Sequence, residues 1–92
     1  MSFNQIDFGN RLHDRRIELG MTQDQLGKAV GVSVQHIGRM ERGERTPSLE
    51  LLVSLSDALY TTCDYLLTGE MDDQTEAMTI LYKALKEIQG LR

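Results

Sequence analysis

The chain has 92 residues, 40% hydrophobic and 26% charged, which fits one compact soluble domain, since ordinary domains run to about 100–150 residues. No apolar run approaches the roughly 20 residues needed to cross a bilayer, and the N-terminal MSFNQIDF has no signal-peptide core, so no membrane partner and a cytoplasmic location are expected. The formal net charge is −4, but it is unevenly divided: residues 11–47 hold seven Lys/Arg against five Asp/Glu, whereas residues 48–92 hold three against eight. A polyanionic partner for the first half therefore stays open, because salt limits electrostatic reach to ~8–10 Å and a local basic face outweighs the sum.

One proline, glycines at the edges of periodic segments and no alternating Val/Ile/Thr runs predict an all-α protein. The first helix is expected from about Asp7 to Leu19, with Phe8, Leu12 and Leu19 on one stripe and Gly20 as its left-handed cap. Thr22 and Gln25 have the spacing of a capping box, which starts a second helix at Gln23 that ends near Val30 before Gly31. Ser33 caps a third helix from Val34 to Arg42 that closes at Gly43 and turns Ile37 and Met40 inward.

Pro47 and Ser48 open a fourth helix in which Leu49, Leu52, Leu55 and Leu59 keep helical spacing, and Thr62 caps a short fifth one with Cys63, Leu66 and Leu67. Residues 68–72 read as a polar joint. Asp73-x-x-Glu76 resembles another capping box, opening a last helix to about Gln89, with Gly90-Leu91 as its cap. The division expected is a domain over residues 1–69 and a C-terminal dimerisation helix over 70–92. Cys63 is the single cysteine and only His13 and His36 accompany it, so neither a disulfide, a metal nor another cofactor is expected.

Two short helices joined by Gly31, Val32 and Ser33 make a helix-turn-helix. The stretch TQDQLGKAVGVSVQHIGRMERGERTPSLELL closely resembles the Cro/phage-repressor (XRE-like) helix-turn-helix family, whose pattern reads roughly TQ-x-x-LA-x-x-x-GVS-x-x-x-IS-x-x-E-x-G-x-x-x-PSL. The resemblance covers about residues 8–69 and implies a five-helix lambda-repressor-like DNA-binding domain, here with an additional amphipathic helix. Gly27 stands where the family usually has Ala, at a close crossing of the second and third helices, Gly31 supplies the positive φ of the turn, and Val32 and Ile37 fill the wedge.

The family lays its third helix in the DNA major groove. Carried over by position, the base readers are Val34, Gln35 and Arg39: an apolar surface for a thymine methyl, an amide for adenine, and a fork for guanine O6 and N7. Gln23, at a helix N-terminus, and Arg42, Arg45 and Thr46, around the loop after the third helix, are the implied phosphate contacts, with Glu44 weakening the field among them. Arg16 and Glu41 match positions that form an internal ion pair in the family. Val34 replaces a residue that is frequently Gln, and Tyr60 stands where a helix-ending Gly is common, so the turn after the fourth helix is expected to be strained or differently shaped.

On the last helix Ala77, Leu81, Ala84 and Ile88 recur at helical spacing, and Met78, Ile80 and Leu85 widen the stripe. A face this broad calls for a partner, and palindromic recognition calls for a homodimer. The expected function is therefore a sequence-specific binder of double-stranded DNA, a repressor acting on an inverted-repeat operator. The alternative is an antitoxin or adaptor whose C-terminal helix binds a protein partner. No nucleophile-base pair or Gly-rich phosphate loop stands in a recognisable context, so no enzyme and no catalytic residues are expected.

Overall fold

A computed structural model describes residues 3–70 and 73–90, which form six helices and, among those residues, no strand. They are α1 (Gln5–Glu18), α2 (Gln23–Val30), α3 (Val34–Glu41), α4 (Leu49–Ala58), α5 (Cys63–Thr68) and α6 (Asp73–Gly90). The all-α expectation is met, and most helix starts fall where capping chemistry placed them. Thr22 and Gln25 exchange both bonds of the capping box, at 2.8 and 3.0 Å. The hydroxyls of Ser33, Ser48 and Thr62 accept from the amides of His36, Leu51 and Tyr65.

Two helix starts differ from the sequence reading. Helix α1 begins two residues before Asp7, because the Asn4 side chain accepts from the amides of Ile6 and Asp7, both at 3.0 Å. Helix α6 already includes Asp73 and runs through Gly90, so Asp73 is inside the helix rather than its cap. The Leu91 half of the expected C-terminal cap lies outside the described residues.

The core gathers Phe8 and Leu12 of α1, the Leu19 that follows it, Leu26 of α2, Ile37 and Met40 of α3, Leu52 and Leu55 of α4, the Leu59 that caps α4, and Leu66 of α5. Leu49 is a correction to the leucine stripe: it is 82% exposed. As the first residue of α4 it lies at the helix end beyond the layer that Leu52, Leu55 and Leu59 fill. Gly27 is needed for close approach, but the obstacle is the turn itself. A Cβ there would meet the Val32 carbonyl oxygen at 2.7 Å, with no atom of the third helix among its nearest neighbours.

Two arginines of α1 close the ends of other elements. Arg11 donates to the carbonyls of Leu66 and Leu67 at the end of α5, at 2.9 and 2.8 Å. Arg15, 1% exposed, donates to the carbonyls of Leu59 and Tyr60 after α4, both at 2.8 Å, and to Glu18 and Thr79. Tyr60 has φ +52°, the left-handed conformation that a glycine would adopt without penalty. Its ring packs on Tyr82 with centroids 5.4 Å apart, contact that offsets part of the backbone strain.

Helix α6 returns to the domain through Thr79, Tyr82 and Lys86, three residues at spacings of three and four. Thr79 is buried against Arg15, Tyr82 is half-buried against the core, and Lys86 Nζ donates to the Leu19 carbonyl at 3.3 Å. The stripe of Ala77, Met78, Ile80, Leu81, Ala84, Leu85 and Ile88 points away from this attachment and is exposed, its larger members by 41 to 64%.

Candidate nucleic-acid interface

Helix α3 is held from behind by two devices on α1. At Gly9 the helices touch backbone to backbone: a Cβ would lie 2.5 Å from the Met40 carbonyl oxygen and 2.7 Å from that of Glu41. About two turns further along, Arg16 grips the Glu41 carboxylate in two places, Nε at 2.6 Å and Nη2 at 2.9 Å, both side chains being buried. The paired fork fixes orientation as well as distance. The internal ion pair implied by the resemblance is therefore present, and it locks α3 in rotation about its axis.

Gln23 belongs to the same network. Its Nε2 donates to Glu41 Oε1 at 3.1 Å, which leaves its carbonyl oxygen and a second N–H uncommitted by that bond at the start of α2. Arg42 comes to the same place from the other side. A Cβ on Gly38 would meet Arg42 Nη1 at 3.1 Å and the Gln23 amide atoms at 3.8 Å. Gly38 thus gives the two side chains room to converge at the boundary between α2 and α3. Sequence reasoning passed over Gly38, although the signal was there: the family pattern has Ser after the Ile matched by Ile37.

Val34, Gln35 and Arg39 lie on the outward face of α3, where all three are exposed, Gln35 and Arg39 one turn apart. Arg42 donates through Nε to Glu44 at 2.6 Å in an exposed pair. That hydrogen bond holds the Glu44 carboxyl below its usual range against the opposing effect of desolvation, with the charges of Arg42 and Arg39 adding to it. Arg45 and Thr46 are exposed in the following loop, and Thr46 lines a shallow cleft of about 400 Å³ with His36, Ser48 and Glu50. Arg45 is not drawn into the Gln23 and Arg42 cluster by any bond among the described residues.

The basic count of the first half needs revision on this geometry. Arg11, Arg15 and Arg16 are committed to internal carbonyls and carboxylates, and Lys28 pairs with Asp24 on α2 at 3.1 Å. The cations left on the α3 side are Arg39, Arg42 and Arg45, with Glu44 in their midst. The face is a focused basic patch and not a broad one.

Residues 12–66 match the helix-turn-helix family HTH_3. The chain belongs to this family. Repressor protein C2 of Salmonella phage P22 is 44% identical over 69 residues, 75% of this chain and 32% of that repressor, so the chain spans about a third of that relative's length. The HTH-type transcriptional regulator YazB of Bacillus subtilis is 36% identical over 63 residues, 68% of this chain and 91% of the relative. Among solved structures, the P22 c2 repressor in complex with a synthetic operator superposes with a TM-score of 0.67 at 46% identity, covering 68% of this chain and 96% of that one. The restriction-modification controller protein C.AhdI of Aeromonas hydrophila follows at a TM-score of 0.66 and 32% identity, with the same coverages of 68% and 96%. The helix-turn-helix family and its lambda-repressor-like helical fold, implied by the resemblance, are thereby established for the larger part of this chain.

Proposed function

We propose that this protein is a sequence-specific binder of double-stranded DNA that regulates transcription, acting as a repressor on an inverted-repeat operator. The observation that carries the reading is the outward face of α3. Val34, Gln35 and Arg39 project from a helix locked by Arg16 and Glu41, in a scaffold like that of the P22 repressor crystallised with operator. Gln35 and Arg39 read base edges, Val34 offers apolar surface to a thymine methyl, and Gln23, Arg42, Arg45 and Thr46 hold phosphates on either side of the groove. A rigid reading helix is what base discrimination requires, since hydrogen bonds to base edges are directional.

The homodimer forms through the exposed stripe of α6, from Ala77 to Ile88. The attachment of α6 through Thr79, Tyr82 and Lys86 supports this, because it leaves the apolar side of the helix uncovered. We assign no catalytic role and place the protein in the cytoplasm with the DNA it binds. Selection from a random duplex library is the direct test. Enrichment of an inverted repeat, with affinity falling steeply with salt, is the expected result; a library in which no duplex is enriched would overturn the reading.

A further inference from the structure

Arg15 and Arg16 are adjacent on α1, and successive residues of a helix project about 100° apart. They consequently serve two different neighbours. Arg16 fixes α3 through Glu41, whereas Arg15 gathers the corner after α4 and α6 onto α1. A continuous line of directional bonds therefore runs from Thr79 through Arg15, the body of α1 and Arg16 to Glu41 on α3.

The attachment of α6 is built to define direction. Apolar surfaces can slide over one another, but a hydrogen bond loses strength quickly when its angle opens. Thr79 Oγ1 accepts from the buried Arg15 guanidinium. Seven residues along, a rise of about 10 Å, Lys86 Nζ donates to the Leu19 carbonyl while lying 5.3 Å from the centre of the Tyr82 ring. Between them Tyr82 packs on Tyr60, whose left-handed backbone also presents its carbonyl to Arg15. Two anchored ends and an aromatic contact between them fix both the tilt of α6 and its rotation about its own axis.

We infer that Arg15, with Thr79 and Tyr82, is the positioning joint that sets the separation of the two operator half-sites. The inference rests on the proposed reading, in which α6 joins two copies and α3 reads DNA. Each base pair inserted between half-sites moves one of them by about 3.4 Å and turns it by about 35° around the duplex. A dimer whose α6 is rigidly oriented on α1 engages both half-sites at one spacing only. A dimer with a loosened joint follows the half-sites to neighbouring spacings.

The test uses the full chain and the inverted repeat enriched from a random library, remade with up to two base pairs added or removed at its centre. The parent is expected to bind the best spacing about 10²-fold more tightly than its neighbours, because off-spacing duplexes lose simultaneous engagement. Arg15→Met risks unfolding the corner, so the decisive variant is Thr79→Val with Tyr82→Ala, which leaves Arg15 its carbonyl partners and leaves the α6 stripe intact. Its preference should fall below about tenfold while binding to an isolated half-site and dimer sedimentation are unchanged. A variant that keeps the parent's preference, or a parent without one, overturns the joint while leaving DNA binding standing. A library with no enriched duplex overturns the DNA-binding reading and this inference with it.

Discussion

Gln23 and Glu41 are joined by a 3.1 Å hydrogen bond, so a side chain assigned to phosphate and a carboxylate assigned to structure belong to one network. Arg16 holds the same carboxylate in a buried pair. Glu41→Ala is expected to lose about 3–5 kcal/mol, because it leaves the Arg16 guanidinium buried without its counter-charge. Urea denaturation reads the loss, and DNA binding should fail in step with unfolding. A variant that unfolds like the parent yet no longer binds DNA would move Glu41 from the scaffold to the interface.

Base readers and backbone anchors should separate in binding assays. Gln35→Ala and Arg39→Ala are expected to lose about 1–3 kcal/mol at particular base pairs and to relax preference there. Gln23→Ala and Arg42→Ala should weaken cognate and scrambled duplexes alike. Equal losses of Gln35→Ala on both duplexes would take Gln35 out of the reading set.

In the proposed reading Glu44 competes with phosphate for Arg42, to which it is paired. Its carboxyl is held below the usual range chiefly by the Arg42 hydrogen bond, so the pair is intact above the ordinary carboxylate pKa and is lost as pH falls through the lowered value. At neutral pH only substitution removes it. Glu44→Gln is expected to raise affinity for every duplex and to steepen the salt dependence by up to about 0.9 in log–log slope, the share of one additional neutralised phosphate. Unchanged affinity and slope would show that the pair persists beside DNA.

Gly9→Ala sets two known effects against each other. Alanine gains about 1 kcal/mol of helix propensity over glycine, but its Cβ would stand 2.5 Å from the Met40 carbonyl oxygen. Overpacking typically costs about 1–3 kcal/mol, and because backbone cannot yield as a side-chain tip can, the upper part of that range applies here, so we expect about 1–2 kcal/mol of net destabilisation. A melting temperature at or above the parent's would show that α1 and α3 part without penalty.

The α6 stripe can be tested without disturbing its attachment. Leu81→Glu places a charge on a side that points away from Thr79, Tyr82 and Lys86. Sedimentation should then report a monomer that is still folded, with much weaker binding to the full inverted repeat. A dimer that persists would place the interface elsewhere, and the exposed Leu49 and Val53 of α4 would be the next residues to substitute.

Local chemistry made much of this protein legible from its sequence. Thr22, Ser33, Ser48 and Thr62 mark helix starts because each side-chain oxygen accepts from the amide three residues on, a contact that is local in sequence. Gly31 and Gly43 take positive φ for an equally local reason. The spacing of Leu12, Leu26, Ile37, Met40, Leu55 and Leu59 likewise fixes which helix faces are buried. Tertiary structure alone decided what the charges do. Arg11, Arg15 and Arg16 read as part of a basic half, but each lies beside orphan carbonyls or a buried carboxylate supplied by residues 25 to 56 positions away. Burial without such partners is prohibitive, so where the chain brings acceptors together determines whether an arginine faces DNA or the interior. The same holds for α6: its apolar period was plain, yet that the helix attaches through Thr79, Tyr82 and Lys86 depends on a turn at Tyr60 and a guanidinium at Arg15 far away in sequence.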